Sequence, residues 1–110
     1  TLDRLLANPL PVLLELAGPL GMSVEQVRQV EGISTELDRS LRASREGVGR
    51  RFDGVSADEA VQLLREIQPQ VEAARQGIAD ALVRVRGVLT DAQWQRVPAQ
   101  LREFRPALGG

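Results

Sequence analysis

Stepping from Ala57 in alternating strides of three and four residues, the chain places Ala57, Ala60, Leu64, Ile67, Val71, Ala74, Ile78, Ala81, Val85 and Val88 in one row. Every stop is apolar, the seam of a long helix that lies along a partner helix. At about 1.5 Å per residue, the stretch from Ser56 to Leu89 reaches roughly 50 Å. In a chain of 110 residues it is therefore the principal scaffold. Pro69 has no amide to give the Arg65 carbonyl and its ring crowds that group, so a bend is expected near residues 65–69.

The partner face precedes it in the chain. Val27, Val30, Ile33, Leu37, Leu41 and Val48 share one side of a helix, although Ser34 and Ser44 interrupt that side. Gly47 and Gly49 each weaken it by roughly 1 kcal/mol relative to Ala, so its end is expected between Glu46 and Phe52. Phe52-Asp53-Gly54-Val55 is short enough to join two antiparallel neighbours. Residues 1–21 form an apolar arm that includes Leu2, Leu5, Leu6, Leu10, Leu13, Leu14 and Leu20. Pro9, Pro11 and Pro19 divide it, predicting short helical pieces at about 2–7 and 11–17. Leucines this dense either cover the hairpin or form an interface with another chain. Beyond the second long helix, Trp94, Val97, Leu101 and Phe104 recur on one face. Pro98 predicts a kink or two short helices there, and Pro106 with Gly109-Gly110 ends the ordered part.

The expected fold class is all-α, a long bent antiparallel helical hairpin with short flanking helices. One helical domain spans 1–110: the arm at 1–21, the hairpin core at 22–105 and a tail at 106–110.

Three helix starts carry the same punctuation. Ser23 with Gln26, Ser56 with Glu59, and Thr90 with Gln93 each read as a capping box, in which hydroxyl and N3 side chain satisfy each other's orphaned amides. Met22 with Val27, and Leu89 with Trp94, occupy the staple positions around the first and third.

Composition narrows the chemistry. Hydrophobic residues make up 43% and charged residues 26%, as in ordinary folded proteins, and aromatic residues only 3%. The net charge of −1 supplies no drive toward nucleic acid or an anionic membrane. All 14 basic residues are Arg, which the codon bias of a GC-rich genome explains better than a bidentate role does. With Cys 0 and His 0, the usual nucleophile, general base and soft metal ligands are missing. Gly47-Val48-Gly49 lacks the Lys of a phosphate loop. Asp58 and Glu59 read as helix-dipole partners, and Asp80 with Arg84 as a solvent-face pair at i,i+4. No catalytic residue, cofactor or metal site is expected, and no run is long enough to span a membrane. The chain opens at Thr1 rather than Met, as expected of a processed or excised piece.

Met22-Ser23-Val24-Glu25-Gln26 and Leu89-Thr90-Asp91-Ala92-Gln93 share one pattern: apolar, hydroxyl, two variable residues, Gln. One opens the first long helix and the other follows the second. This placement resembles the Spy/CpxP-like periplasmic family, whose members carry two LTxxQ motifs in these positions. The second copy matches fully, and the first is a conservative variant preceded by Leu20-Gly21. The resemblance covers about residues 20–105. It implies a bent helical hairpin that commonly dimerises into a cradle, in an extracytoplasmic, here periplasmic, setting. Members include ATP-independent chaperones, envelope-stress regulators and metal-responsive proteins. Met22, Ser23, Gln26, Leu89, Thr90, Gln93 and Trp94 read as structural motif residues rather than chemical ones.

One surface invites a partner. Arg39, Arg42, Arg45, Arg50 and Arg51 outnumber the acid Glu46 between them, with Val48 and Phe52 alongside. The candidate client-binding set is Arg39, Arg42, Arg45, Val48, Arg51 and Phe52, a basic rim with apolar points; a merely solvated helix face is the plainer reading. Two functions stay open. One is a non-enzymatic binding protein, a homodimer holding protein clients or a partner protein. The other is a structural or assembly module of a larger envelope protein. Metal-responsive sensing ranks below both, and nucleic acid is a poor fit to an acidic chain with one Trp.

Overall fold

The computed structural model describes residues 5–106, and these contain helices and turns but no strand. In order they are α1 (Leu10–Glu15), α2 (Ala17–Leu20), α3 (Val24–Arg51), α4 (Ala57–Val88), α5 (Asp91–Gln95) and α6 (Ala99–Arg102). The long helices α3 and α4 pack along each other as a hairpin, and α1 lies against α3. The molecule measures 50 × 26 × 18 Å, its long axis matching the length that α4 alone requires.

Each long helix starts where its hydroxyl cap stands. The Ser23 Oγ accepts from the Gln26 amide at 3.1 Å, and the Gln26 Oε1 accepts from the Ser23 amide at 2.8 Å. Thr90 and Gln93 repeat the box at 3.1 and 2.9 Å. The expected box at Ser56 is only half made. Ser56 Oγ accepts from the Glu59 amide at 3.3 Å, while the Glu59 carboxylate accepts from the Ser56 hydroxyl instead of returning to the backbone. α3 continues through Gly47 and Gly49 to Arg51, because Val48 between them is buried and anchors that turn to the core. The reversal then needs a left-handed residue, which Gly54 supplies at φ +73°. Gly21, at φ +69°, ends α2 in the same way, with the Met22 amide donating to the Ala17 carbonyl at 2.9 Å.

The core is one cluster. Val30, Ile33, Leu37, Leu41 and Val48 of α3 face Leu63, Ile67, Val71, Ile78, Ala81, Leu82 and Val85 of α4. The stripe on α4 differs from the expected row near the turn, where Leu63 is buried and Leu64 is 50% exposed. The reason is periodicity: a strict three-four stride averages 3.5 residues, whereas a straight helix turns every 3.6 and drifts about 20° per heptad. Followed back from Val85, the drift brings Leu63 inward and turns Leu64 out. α4 runs unbroken through Pro69, which is exposed, on the side where water can take up the Arg65 carbonyl.

The arm covers the hairpin. Leu6, Leu10 and Leu13 are fully buried and Leu20 nearly so. Of the two expected arm helices, the piece at 2–7 begins outside the described residues; the one expected at 11–17 is α1 at Leu10–Glu15, interrupted at Leu16 before α2 begins at Ala17. Asn8 pins this strap: its Nδ2 donates to both the carbonyl and the hydroxyl of Ser34 at 3.1 Å, and its Oδ1 caps the Leu10 amide at 2.9 Å. Ser34, an apparent flaw in the apolar face of α3, is thus the socket for the arm. After Thr90 the chain forms the two short helices α5 and α6, with Pro98 as the N-cap of α6. Leu89, Trp94 and Val97 close that end of the core. The Gly109-Gly110 tail lies outside the described residues.

Candidate functional site

The two start motifs meet. Gln26 Nε2 donates to Gln93 Oε1 at 2.8 Å, and Gln93 Nε2 donates back to Gln26 Oε1 at 3.2 Å. Each amide also reaches the backbone just before the other motif: Gln26 to the Val88 carbonyl at 3.1 Å, Gln93 to the Gly21 carbonyl at 3.0 Å. The 67-residue offset that relates the glutamines relates Ser23 to Thr90 and Gly21 to Val88 as well, so the arrangement is a local pseudo-two-fold. Each oxygen still holds its own box amide. Both side-chain amides are therefore fully used, and the network ties the start of α3 to the end of α4. Capping was legible in the sequence; the pairing was not.

The basic residues between 39 and 51 are dispersed by their contacts. Arg42 pairs with Asp38 one turn back at 3.0 Å. Arg45 turns inward and donates to the Leu6 carbonyl at 3.0 Å, helping to hold the arm. Arg50 bonds the Glu46 carbonyl of its own helix at 3.3 Å. Arg51 crosses to α4, reaching Gln70 Oε1 at 3.3 Å and Glu66 Oε2 at 3.5 Å. Arg39 is exposed. Val48 is buried in the core and Phe52 half-buried, so the apolar points expected on the rim face inward. Exposed apolar side chains lie elsewhere. Val61 (57%) and Leu64 (50%) stand one turn apart on the outer side of α4, beside Arg65, and Val83 is exposed farther along.

The face opposite the arm carries an open groove between α3 and α4, lined by Gly32, Ile33 and Glu36 on one side and Arg84, Gly87 and Val88 on the other. Arg84 Nη1 bridges it to Glu36 Oε2 at 2.8 Å. Arg84 thus chooses a carboxylate across the groove over the expected Asp80, which accepts from Gln76 instead. The Arg84 hydrogen bond and charge hold the Glu36 carboxyl below its ordinary pKa, with a smaller contribution from Arg39. Near the middle of α4, Arg75 gathers both ends of the described chain. Its guanidinium donates to the carbonyls of Leu5 (2.8 Å), Arg105 (3.0 Å) and Pro106 (3.3 Å), and it lies over the Phe104 ring at 4.7 Å.

Among the described residues no three His, Cys, Asp or Glu side chains form a group able to hold a metal, and no helix is long and apolar enough to cross a membrane. No family model matches the chain, and no curated protein or solved structure matches it.

Proposed function

We propose that this chain is a non-enzymatic binding protein of the Spy/CpxP-like kind, an extracytoplasmic chaperone or stress adaptor that holds partly unfolded or partner proteins without ATP. The observation that carries the reading is a hairpin tied at one end that leaves Val61 and Leu64 in water among charged side chains. Apolar points set among charges suit reversible contact with exposed client segments, and the same stripe suits the expected homodimer. Reciprocal pairing of the two start motifs supports the resemblance on which the periplasmic setting rests. Arg39, Arg42 and Arg50 are exposed cations of the basic rim and Arg51 is exposed while paired with Glu66, whereas Arg45 belongs to the arm.

The test is suppression of aggregation of an unfolding client at near-stoichiometric ratio. Suppression is expected, weakened by Val61→Gln with Leu64→Gln and by charge reversal at Arg39 and Arg42, with melting temperature unchanged. No suppression at any salt concentration sinks the proposal. Sedimentation that shows only monomer at high micromolar concentration removes the dimer. Metal-responsive sensing has only carboxylates and Met22 to draw on, and a zinc- or nickel-induced rise in melting temperature would revive it.

A further inference from the structure

α4, α5 and α6 enclose a cleft of about 160 Å³ on the side of α4 away from the open groove. Its walls are Leu82, Val83, Trp94, Leu101 and Phe104, with Ala79 contributing only a methyl group. The remaining lining residues are Arg86 and Arg102; no acid lines it. An apolar cavity of about 150 Å³ accommodates one benzene-sized group, so this cleft has room for one phenyl or leucine side chain.

The charges around it are incompletely used. Arg86 lies over the Trp94 ring at 5.9 Å and forms no ion pair among the described residues. Arg102 commits its Nε to the Val97 carbonyl at 2.8 Å, leaving its terminal nitrogens to a partner. Two guanidinium groups at the rim of an aromatic cleft without acids are complementary to a carboxylate held beside an apolar group.

We infer that this cleft binds an acidic peptide segment, taking one aromatic or leucine side chain between Trp94 and Phe104 while Arg86 and Arg102 hold a neighbouring carboxylate. The inference rests on the proposed client-binding role and supplies the chemistry of the client. A leucine or phenylalanine next to an acid is common in unfolded chains and buried in folded ones. The cleft therefore distinguishes the two states of a client without reading its sequence.

Trp94, the one Trp of the chain, lines the cleft and reports on it directly by fluorescence. The probes are N-acetylphenylalanine, its uncharged amide, and a hexapeptide with a phenylalanine between two glutamates. Expected are a saturable change with the acid, affinity about tenfold weaker for the amide, and tighter binding of the hexapeptide than of the single amino acid. Arg86→Gln and Arg102→Gln should each weaken the acid several-fold and leave the amide unchanged. Ala79→Met, which fills the cleft, should remove all binding. A linear response, equal affinity for acid and amide, or arginine variants that bind like the parent each overturn the carboxylate site. A hexapeptide that binds no tighter than the amino acid overturns the peptide assignment. These titrations contain no aggregating client, so a dry cleft beside intact aggregation suppression disproves this inference alone. Saturable binding beside absent suppression disproves the chaperone reading and leaves the cleft.

Discussion

The two ends of the hairpin are built by different means. At one end Gln26 and Gln93 exchange hydrogen bonds across 67 residues, and each also takes a carbonyl from the other's approach. At the other, the chain reverses through Gly54, a half-made capping box at Ser56, and Arg51 contacts of 3.3 to 3.5 Å. Ion pairs between the long helices follow the same gradient. Glu36 and Arg84, toward the motif end, meet at 2.8 Å; Arg51 and Glu66, beside the turn, meet at 3.5 Å. A two-helix hairpin has little core to spare, so where its polar ties stand decides which end stays closed. Opening is expected to start at the turn, which also carries the exposed Val61 and Leu64.

The most disruptive way to break this contrast is Gln93→Ala. It takes the box acceptor from the Thr90 amide and the donor from the Gly21 carbonyl, and leaves the half-buried Gln26 amide short of a donor and an acceptor, a loss of about 2–3 kcal/mol. In a domain of this size that lowers the melting temperature by roughly 10 °C or more. Gln26→Ala should cost a similar amount. The double variant should cost little more than either single one, a coupling of about 1 kcal/mol or more in a denaturation cycle. Additive losses would show that each glutamine merely caps its own helix.

Which of these features could be read from the chain follows from their range. Helix starts were legible at Ser23, Ser56 and Thr90 because a cap acts within three residues of its own position. The apolar faces were legible because period is local. Missing were the contacts that need two distant segments at once. Gln26 meets Gln93 only after the hairpin closes, and a capping glutamine that also pairs has the same sequence signature as one that does not. Arg75 binds three backbone carbonyls, which no residue type announces. Arg84 had a correctly spaced Asp80 on its own helix, yet α3 offered Glu36 closer. Val48 read as part of a rim because its charged neighbours outnumber it, although its register placed it with Leu41 in the core.

Smaller changes at the turn sharpen the comparison. Gly54→Ala forces a Cβ into a left-handed conformation and should cost about 1–2 kcal/mol. Its effect on amide hydrogen exchange should be strongest near 50–60, leaving the amides of Ser23 and Thr90 protected as before. Loss of protection at both ends together would mean the hairpin opens as one unit. Ser56→Ala should cost only about 0.5–1 kcal/mol, the low side of a cap loss, because the box there is half made. Ser23→Ala should cost more, since the Ser23 hydroxyl steadies a glutamine that is also part of the network. Equal losses at Ser23 and Ser56 in urea denaturation would erase the distinction between a tied end and a plain one.

The finest test is protonic. The Glu36 carboxyl titrates below its ordinary value chiefly because Arg84 donates a hydrogen bond to it, then because of the Arg84 charge. A carboxyl depressed by folding stabilises the folded state above its unfolded pKa, about 4.3 for glutamate, and that contribution is lost as pH falls through the folded pKa. Both partners are more than half exposed, so salt and water screen the pair and the effect on stability is the smallest considered. The titration itself is the sharper readout. Carbon-detected NMR should place the Glu36 midpoint below the glutamate reference, and Arg84→Gln should move it upward toward that reference. An unmoved midpoint in that variant would mean the contact opens in solution. The groove would then be unbridged, and the motif end would be tied by its glutamines alone.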